Sequence, residues 1–359
     1  MLRLQEKAVP FKIVASGQND IQGSAVLQAL NGGKLDLVLS SEKDIRKSAV
    51  GLMKWYLQTS AKAKKSLFNT FPDADFTHSV MIVHGDTVST MMGAILGKKL
   101  GMTVAHVEAG LRSYHWFNPF PEEIDRMVTS RMARLHFAPG EVPCRNLRKA
   151  KGQVIDTVYN TIVDSLAYSR SVACKDQRIT KWQGTSYFVF ALHRQENLAQ
   201  KALVETLVKR ISKQAETMRC AIILHKPTEV TLREMGLLDA ILSNPNITAF
   251  PRVEYFDFMK LLDGAQFVIT DGGSNQEELS YMGKPCLVVR AHTERQDGLG
   301  QNVLLYGGSF KAIDAFIEHY PEYRRTPILP EFSPSQQIAD VLTRLQLYIH
   351  HSEKKGDGI

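Results

Sequence analysis

Three acidic motifs each follow an apolar run in the chain. His84-Gly-Asp86-Thr comes directly after Val80 to Val83, and His106-Val-Glu108-Ala-Gly110 comes directly after Thr103 and Val104. Pro119-Phe-Pro-Glu122-Glu123-Ile-Asp-Arg126 follows within a few residues. A carboxylate at the mouth of a strand can take or deliver a proton once its surroundings tune it. Glu122 and Glu123 also suit a helix start behind Pro121, where the helix dipole favours acids, and that role alone would account for an isolated acid. Three such motifs at successive strand ends favour proton transfer. In the second half, His193 and Arg194 follow the run Tyr187 to Leu192, a place for an acid/base or phosphate-binding pair. Asp271-Gly272-Gly273-Ser274 lies between a strand-like run and a helix-like one, an order in which backbone N–H groups can hold a phosphate. Arg295 follows the next strand and could reach the same anion or form a surface ion pair.

The elements that must position these residues read as short β-rich runs alternating with helical stretches. The runs are 11–15, 35–39, 80–83, 103–107, 134–137 and 154–155, with a long helix predicted over 44–65 and another over 90–100. The second half repeats the pattern at 187–192, 221–224, 247–250, 267–270 and 285–289, with helices over 199–216, 256–262 and 276–282. Such alternation predicts parallel sheets covered by helices, an α/β class. The length of 359 residues fits two domains. The polar stretch 174–184 marks the expected linker, giving domains 1–172 and 173–345 and a polar tail 346–359. Ligand is then expected at the carboxyl ends of the strands.

Composition narrows the partners. Hydrophobic residues make up 44% and charged residues 23%, so disorder and coiled coils are not expected. The formal charge of +7 favours an anionic ligand, but the basic residues are scattered and no nucleic-acid partner is expected. Cys144, Cys174, Cys220 and Cys286 lie too far apart for a metal or redox pair and read as reduced thiols. With a charged N-terminus and no long apolar run, neither a signal peptide nor membrane insertion is expected, and the protein is read as cytoplasmic.

In order and spacing, HGDT, HVEAGLRS, PFPEEIDR, RLHFAPGE, LHRQEN, the glycine loop ahead of Gln276-Glu277-Glu278, GKPCLVVR and TER resemble the non-hydrolysing UDP-N-acetylglucosamine 2-epimerases, from about Phe11 to Asn302. HVEAGLR followed by PFPEE is the most specific part. The resemblance implies a GT-B architecture, two Rossmann-like doubly wound domains facing a central cleft, a UDP-sugar substrate, a homodimer, and no metal or NAD cofactor. It implies inversion at C2 of UDP-GlcNAc to give UDP-ManNAc for cell-surface polysaccharide precursors, by C2 proton removal with loss and re-addition of UDP. Asp86, Glu108, Glu122 and His193 fall on the family's catalytic positions, with the order of base and acid among the carboxylates left open. Arg194, Gly272, Gly273, Ser274, Glu278 and Arg295 fall on its nucleotide and phosphate positions, and Phe258 where it packs an aromatic near the uracil.

The chain also departs from the family. Family members open with a strand and a G-T-R-P-E loop that have no counterpart here, so the expectation is either a natural start farther upstream or a damaged copy. The D-S-G-G pattern reads Asp-Gly-Gly-Ser, Ser16-Gly-Gln-Asn19 keeps part of T-G-Q-H, and no P-G-Q is found around 40–44. TER continues as Gln296-Asp-Gly, consistent with a subgroup of altered sugar preference. The alternatives are a hydrolysing relative that releases ManNAc, a non-catalytic UDP-sugar-binding protein and, more remotely, a glycosyltransferase.

Overall fold

The computed structural model describes residues 1–19, 21, 24–30, 33–40, 49–114, 121–293, 295–328 and 332–356. Predicted features at 44–48, Pro119, Phe120 and Glu294 lie outside them. Among the described residues twelve strands follow in chain order: β1 (Val14–Ala15), β2 (Leu37–Val38), β3 (Val80–His84), β4 (Thr103–Val107), β5 (Leu135–Ala138), β6 (Gln153–Asp156), β7 (Tyr187–Ala191), β8 (Arg219–Ile223), β9 (Ile247–Phe250), β10 (Val268–Thr270), β11 (Cys286–Val288) and β12 (Val303–Leu305). Every pairing between them is parallel. Parallel strands need crossovers, and helices supply them, which is why the apolar runs alternate with amphipathic stretches.

The chain forms two compact units. Residues 1–161 together with 332–359 make the first and residues 162–331 the second. Both boundaries differ from the expected 172/173 and 345/346. The polar stretch 174–184, expected as a linker, is packed into the second unit: Ile179 and Trp182 are buried, and the backbone N–H groups of Lys175 and Asp176 donate to Asp257 at 2.8 and 3.2 Å. The terminal helix Pro334–Gly356 is no free tail at its start. Ile338, Ala339 and Leu342 bury an apolar face on the first unit with Leu4, Ala105, Val107, Leu135 and Phe137, and Lys7 pairs with Asp340 at 2.6 Å.

In the second unit the strand order is β12-β11-β10-β7-β8-β9. β10 and β7 are neighbours although three strands apart in sequence, so the order reverses between them. The loops leaving these two strands therefore meet at a topological switch point, where open α/β sheets bind ligands. Its core runs through Phe188, Phe190, Leu207, Ile211, Ile222, Phe267, Ile269 and Phe316, with Phe188 and Phe267 stacked at 4.8 Å.

In the first unit β3-β4-β5-β6 form one sheet and β1-β2 a separate two-residue ribbon. Ile82, in the middle of β3, is 41% exposed, unusual for an interior position of a parallel strand. Side chains tie the ribbon to the crossover helix Val88–Lys99 instead: Ser16 Oγ lies 2.7 Å from Ser89 Oγ, and Ser89 N–H donates to Gln18 Oε1 at 2.9 Å.

Candidate functional site

β3 and β4 pair in register, with His84 opposite Val107, so the turns that leave them lie side by side. Asp86 sits on the first turn and Glu108 on the second. His84 Nε2 lies 3.6 Å from Glu108 Oε2. Glu108 has φ +65°, in the left-handed region that a residue with a Cβ rarely occupies. Strain of this kind persists where the surroundings hold it in place, and it concentrates at working sites. Two residues on, Gly110 has φ +86°, and a Cβ there would lie 2.4 Å from the Pro143 carbonyl oxygen, so only glycine fits. His106, fully buried on β4, donates from Nε2 to the Gly85 carbonyl at 2.8 Å and so pins the Asp86 turn. Burial pushes its pKa down to about 4, against the pull of that bond, and leaves the ring neutral.

The third motif opens the helix Glu122–Met132, with Pro121 as its N-cap residue and Glu122, Glu123 and Asp125 in its first turn. The two adjacent glutamates have different environments. Glu123 is buried and bound: it pairs with Arg112 and accepts from Ser113 N–H at 2.9 Å and Ser113 Oγ at 3.2 Å. Burial alone would raise its pKa, but these bonds outweigh it and hold the carboxyl below the usual range. Its task is to fasten the loop after β4 to the helix. Glu122 is half-buried and takes no part in that clamp among the contacts described. Arg126, nearly buried, pairs with Asp86 and lies 3.5 Å from Glu123. Asp125 is buried as well, and burial, then the charges of Glu122 and Asp86, push its pKa up to about 7. The structure thus gathers Asp86, Glu108 and Glu122 at one edge of the first unit, and Asp125 joins them unforeseen.

In the second unit the loops after β7 and β10 meet over Asp271. This carboxylate is fully buried and accepts from the backbone N–H groups of His193 and Arg194, at 3.1 and 2.8 Å, and from Asn197 Nδ2 at 3.1 Å. His193 Nδ1 lies 2.9 Å from Asp271 Oδ1, and 42% of the His193 side chain remains exposed. Burial works to raise the Asp271 pKa, but the donors led by His193 hold it below the ordinary carboxylate range. A charged carboxylate there accepts from Nδ1 and fixes the His193 ring with Nε2 outward. In the sequence Asp271 reads only as the head of a glycine loop; its position at a strand end, two residues before a helix, does not reveal that it points under His193.

Gly272 is the N-cap residue of the helix Gly273–Met282, so Gly273 and Ser274 present N–H groups that have no acceptor within the helix. Ser274 is exposed at that end. Gln276 binds the following loop to the helix, donating to the Arg295 and Asp297 carbonyls at 3.0 and 3.2 Å and accepting from Thr293 Oγ1 at 2.8 Å. Arg295 is held by an ion pair with buried Glu277, so the pair it makes is not the surface ion pair that was the alternative to anion binding. Glu278, one turn along from Ser274, is buried, accepts from Asn275 Nδ2 at 2.9 Å, and is pushed by burial up to about 7. Phe258 is half-buried on the helix Tyr255–Gly264. Among the described residues no group of three His, Cys, Asp or Glu side chains could hold a metal ion, and no helix is long and apolar enough to cross a membrane.

Residues 3–324 match the family model described as UDP-N-acetylglucosamine 2-epimerase. The chain is 35% identical over 247 residues to the UDP-N-acetylglucosamine 2-epimerase of Methanocaldococcus jannaschii, covering 66% of this chain and 67% of that one. It is 27% identical over 334 residues to the Neisseria meningitidis enzyme of the same name, covering 88% and 89%. Among solved structures, the M. jannaschii epimerase in complex with UDP-GlcNAc and UDP superposes with TM-score 0.77 at 26% identity, covering 96% of this chain and 94% of that one. The N. meningitidis epimerase bound to UDP-GlcNAc gives 0.76 at 25%, covering 97% and 94%.

Proposed function

Since the chain belongs to the UDP-N-acetylglucosamine 2-epimerase family, we propose that it interconverts UDP-GlcNAc and UDP-ManNAc without net hydrolysis. The observation that carries this reading is the set of carboxylates at the ends of β3 and β4 and the start of the next helix. Inverting C2 requires one group to take its proton and another to deliver a proton to the opposite face. Asp86, Glu108 and Glu122 supply such groups, and the buried Arg126 pairs with Asp86. The C2–H is weakly acidic, so its removal is coupled to departure of UDP from C1, and the leaving diphosphate needs positive charge and N–H donors. His193, Arg194, the Gly272-Gly273-Ser274 helix start and Arg295 are the second unit's groups of that kind. Their supports are the buried carboxylates Asp271 and Glu277. Glu278 and Phe258 complete the proposed nucleotide contacts, the first with ribose or phosphate and the second with the base.

Incubation with UDP-GlcNAc in D2O, followed by proton and phosphorus NMR, tests the reading. The expected product is UDP-ManNAc carrying deuterium at C2. Free ManNAc and UDP as the sole products would overturn the non-hydrolysing assignment, and UDP-ManNAc that keeps its C2 protium would overturn proton exchange.

A further inference from the structure

The helix that carries Glu122 has a second carboxyl that the reading above leaves idle. Asp125 lies three residues on from Glu122, one turn along the same side of the helix. It is 2% exposed, and its Oδ2 finds no hydrogen-bond partner among the described residues. The nearby cations are already committed, Arg126 to Asp86 and Glu123, and Arg112 to Glu123. The groups around Asp125 can be named element by element. Its own helix offers Glu122, Glu123 and Arg126. The loop after β3 offers Asp86. β4 carries neutral His106 and leads to Glu108. The helix Val88–Lys99, packed alongside, has its only charges at Lys98 and Lys99 in its last turn.

A buried carboxyl with two negative neighbours and, among the described residues, no uncommitted cation beside it keeps its proton to a much higher pH than an exposed one. We propose that Asp125 is a positioning residue of the epimerase reaction: as a neutral acid it lets Asp86 and Glu122 carry charge together, and loss of its proton to solvent leaves three mutually repelling carboxylates and stops turnover. The proposal rests on the function assigned above. Three carboxyls so close titrate as a set, and the last proton to leave sets the alkaline limb of activity. Its pKa of about 7 puts that limb near neutrality.

Asp125→Asn keeps the shape and neutrality of the protonated side chain and removes its proton. With UDP-GlcNAc as substrate, the wild type is expected to lose activity above about pH 7. Asp125→Asn should keep kcat within about twofold of wild type at pH 6 and hold it to higher pH, with KM unchanged. Superimposable profiles would overturn the proposal, as would a kcat for Asp125→Asn depressed equally at every pH. If the variant fails to fold, infrared spectroscopy of Glu278→Gln, which removes the other carboxyl pushed up to about 7, decides: a protonated-carboxyl band at pH 6 that titrates away near pH 7 is expected, and its absence overturns the proposal. A wild type that does not epimerise at all breaks the functional reading instead, and the infrared band still reports on Asp125.

Discussion

The two units use acid–base pairs in opposite senses. In the first, the pair that presents a candidate catalytic acid keeps its cation buried: Arg126 is 4% exposed and holds Asp86, which is 28% exposed, whereas the Arg112–Glu123 clamp behind it buries its acid. In the second, the buried member is the acid: Asp271 is fully buried beneath an exposed His193, and Glu277 is buried behind Arg295. Strand-end loops of one kind of sheet can thus present either carboxylates or cations, depending on which partner the core keeps. Burying the partner costs desolvation, but it fixes the presented group in one orientation. The contrast matches two needs of the proposed reaction, proton exchange at carbon and stabilisation of a departing diphosphate.

The largest test of this contrast is to neutralise the presented acids. Glu122→Gln and Glu108→Gln should each lower kcat by roughly 10²- to 10⁴-fold, the usual contribution of a general acid or base. Circular dichroism and UDP affinity should stay at wild-type values; full activity in both variants would remove the carboxylates from the chemistry. A smaller effect is expected on the other side. Arg295→Ala removes a charged donor worth about 1.5–3 kcal/mol, so KM for UDP-GlcNAc should rise roughly ten- to hundredfold while deuterium exchange at C2 of bound substrate continues. A loss of exchange with KM unchanged would place Arg295 in the proton-transfer machinery and blur the division.

The smallest effect concerns the scaffold. His106 is neutral in the folded chain, with a pKa lowered by burial to about 4 from 6.5. A base whose folded pKa is depressed adds stability above its unfolded pKa, and that stability is lost as pH falls from 6.5 toward 4, here about 3 kcal/mol. Asp125 acts with the opposite sign. Its raised pKa makes its contribution fullest below about pH 4 and removes it as pH climbs toward 7. Denaturant titrations of the first unit should therefore show His106→Gln flattening the acid slope and Asp125→Asn flattening the slope toward neutrality. Parallel slopes for His106→Gln and wild type would deny the buried neutral imidazole.

Much of this was legible in the sequence because apolar runs followed by Gly or Asp mark strand ends, and β3, β4, β7 and β10 lie where those runs predict. Asp86, Glu108, Glu122, His193 and Arg194 could be picked out for that reason. What escaped was set by contacts distant along the chain. Asp271 and His193 are 78 residues apart, and only the reversal of strand order brings them together. The charge state of Asp125 depends on Asp86, on another element. The terminal helix could have covered either unit, since an amphipathic face does not specify its partner. The stretch 174–184 looked like a linker because its surface is polar, although Ile179 and Trp182 anchor it.

The division of the first unit's sheet has a consequence for how the chain comes apart. Among the described residues the β1-β2 ribbon is two residues long and shares no ladder with the four-stranded sheet, and a lone pair of strands is marginal in water. Its amides should exchange with solvent through small local openings, while those of β4 and β5 await unfolding of the whole unit. The ribbon is therefore the seam at which a protease or a chaperone would first gain hold of the chain.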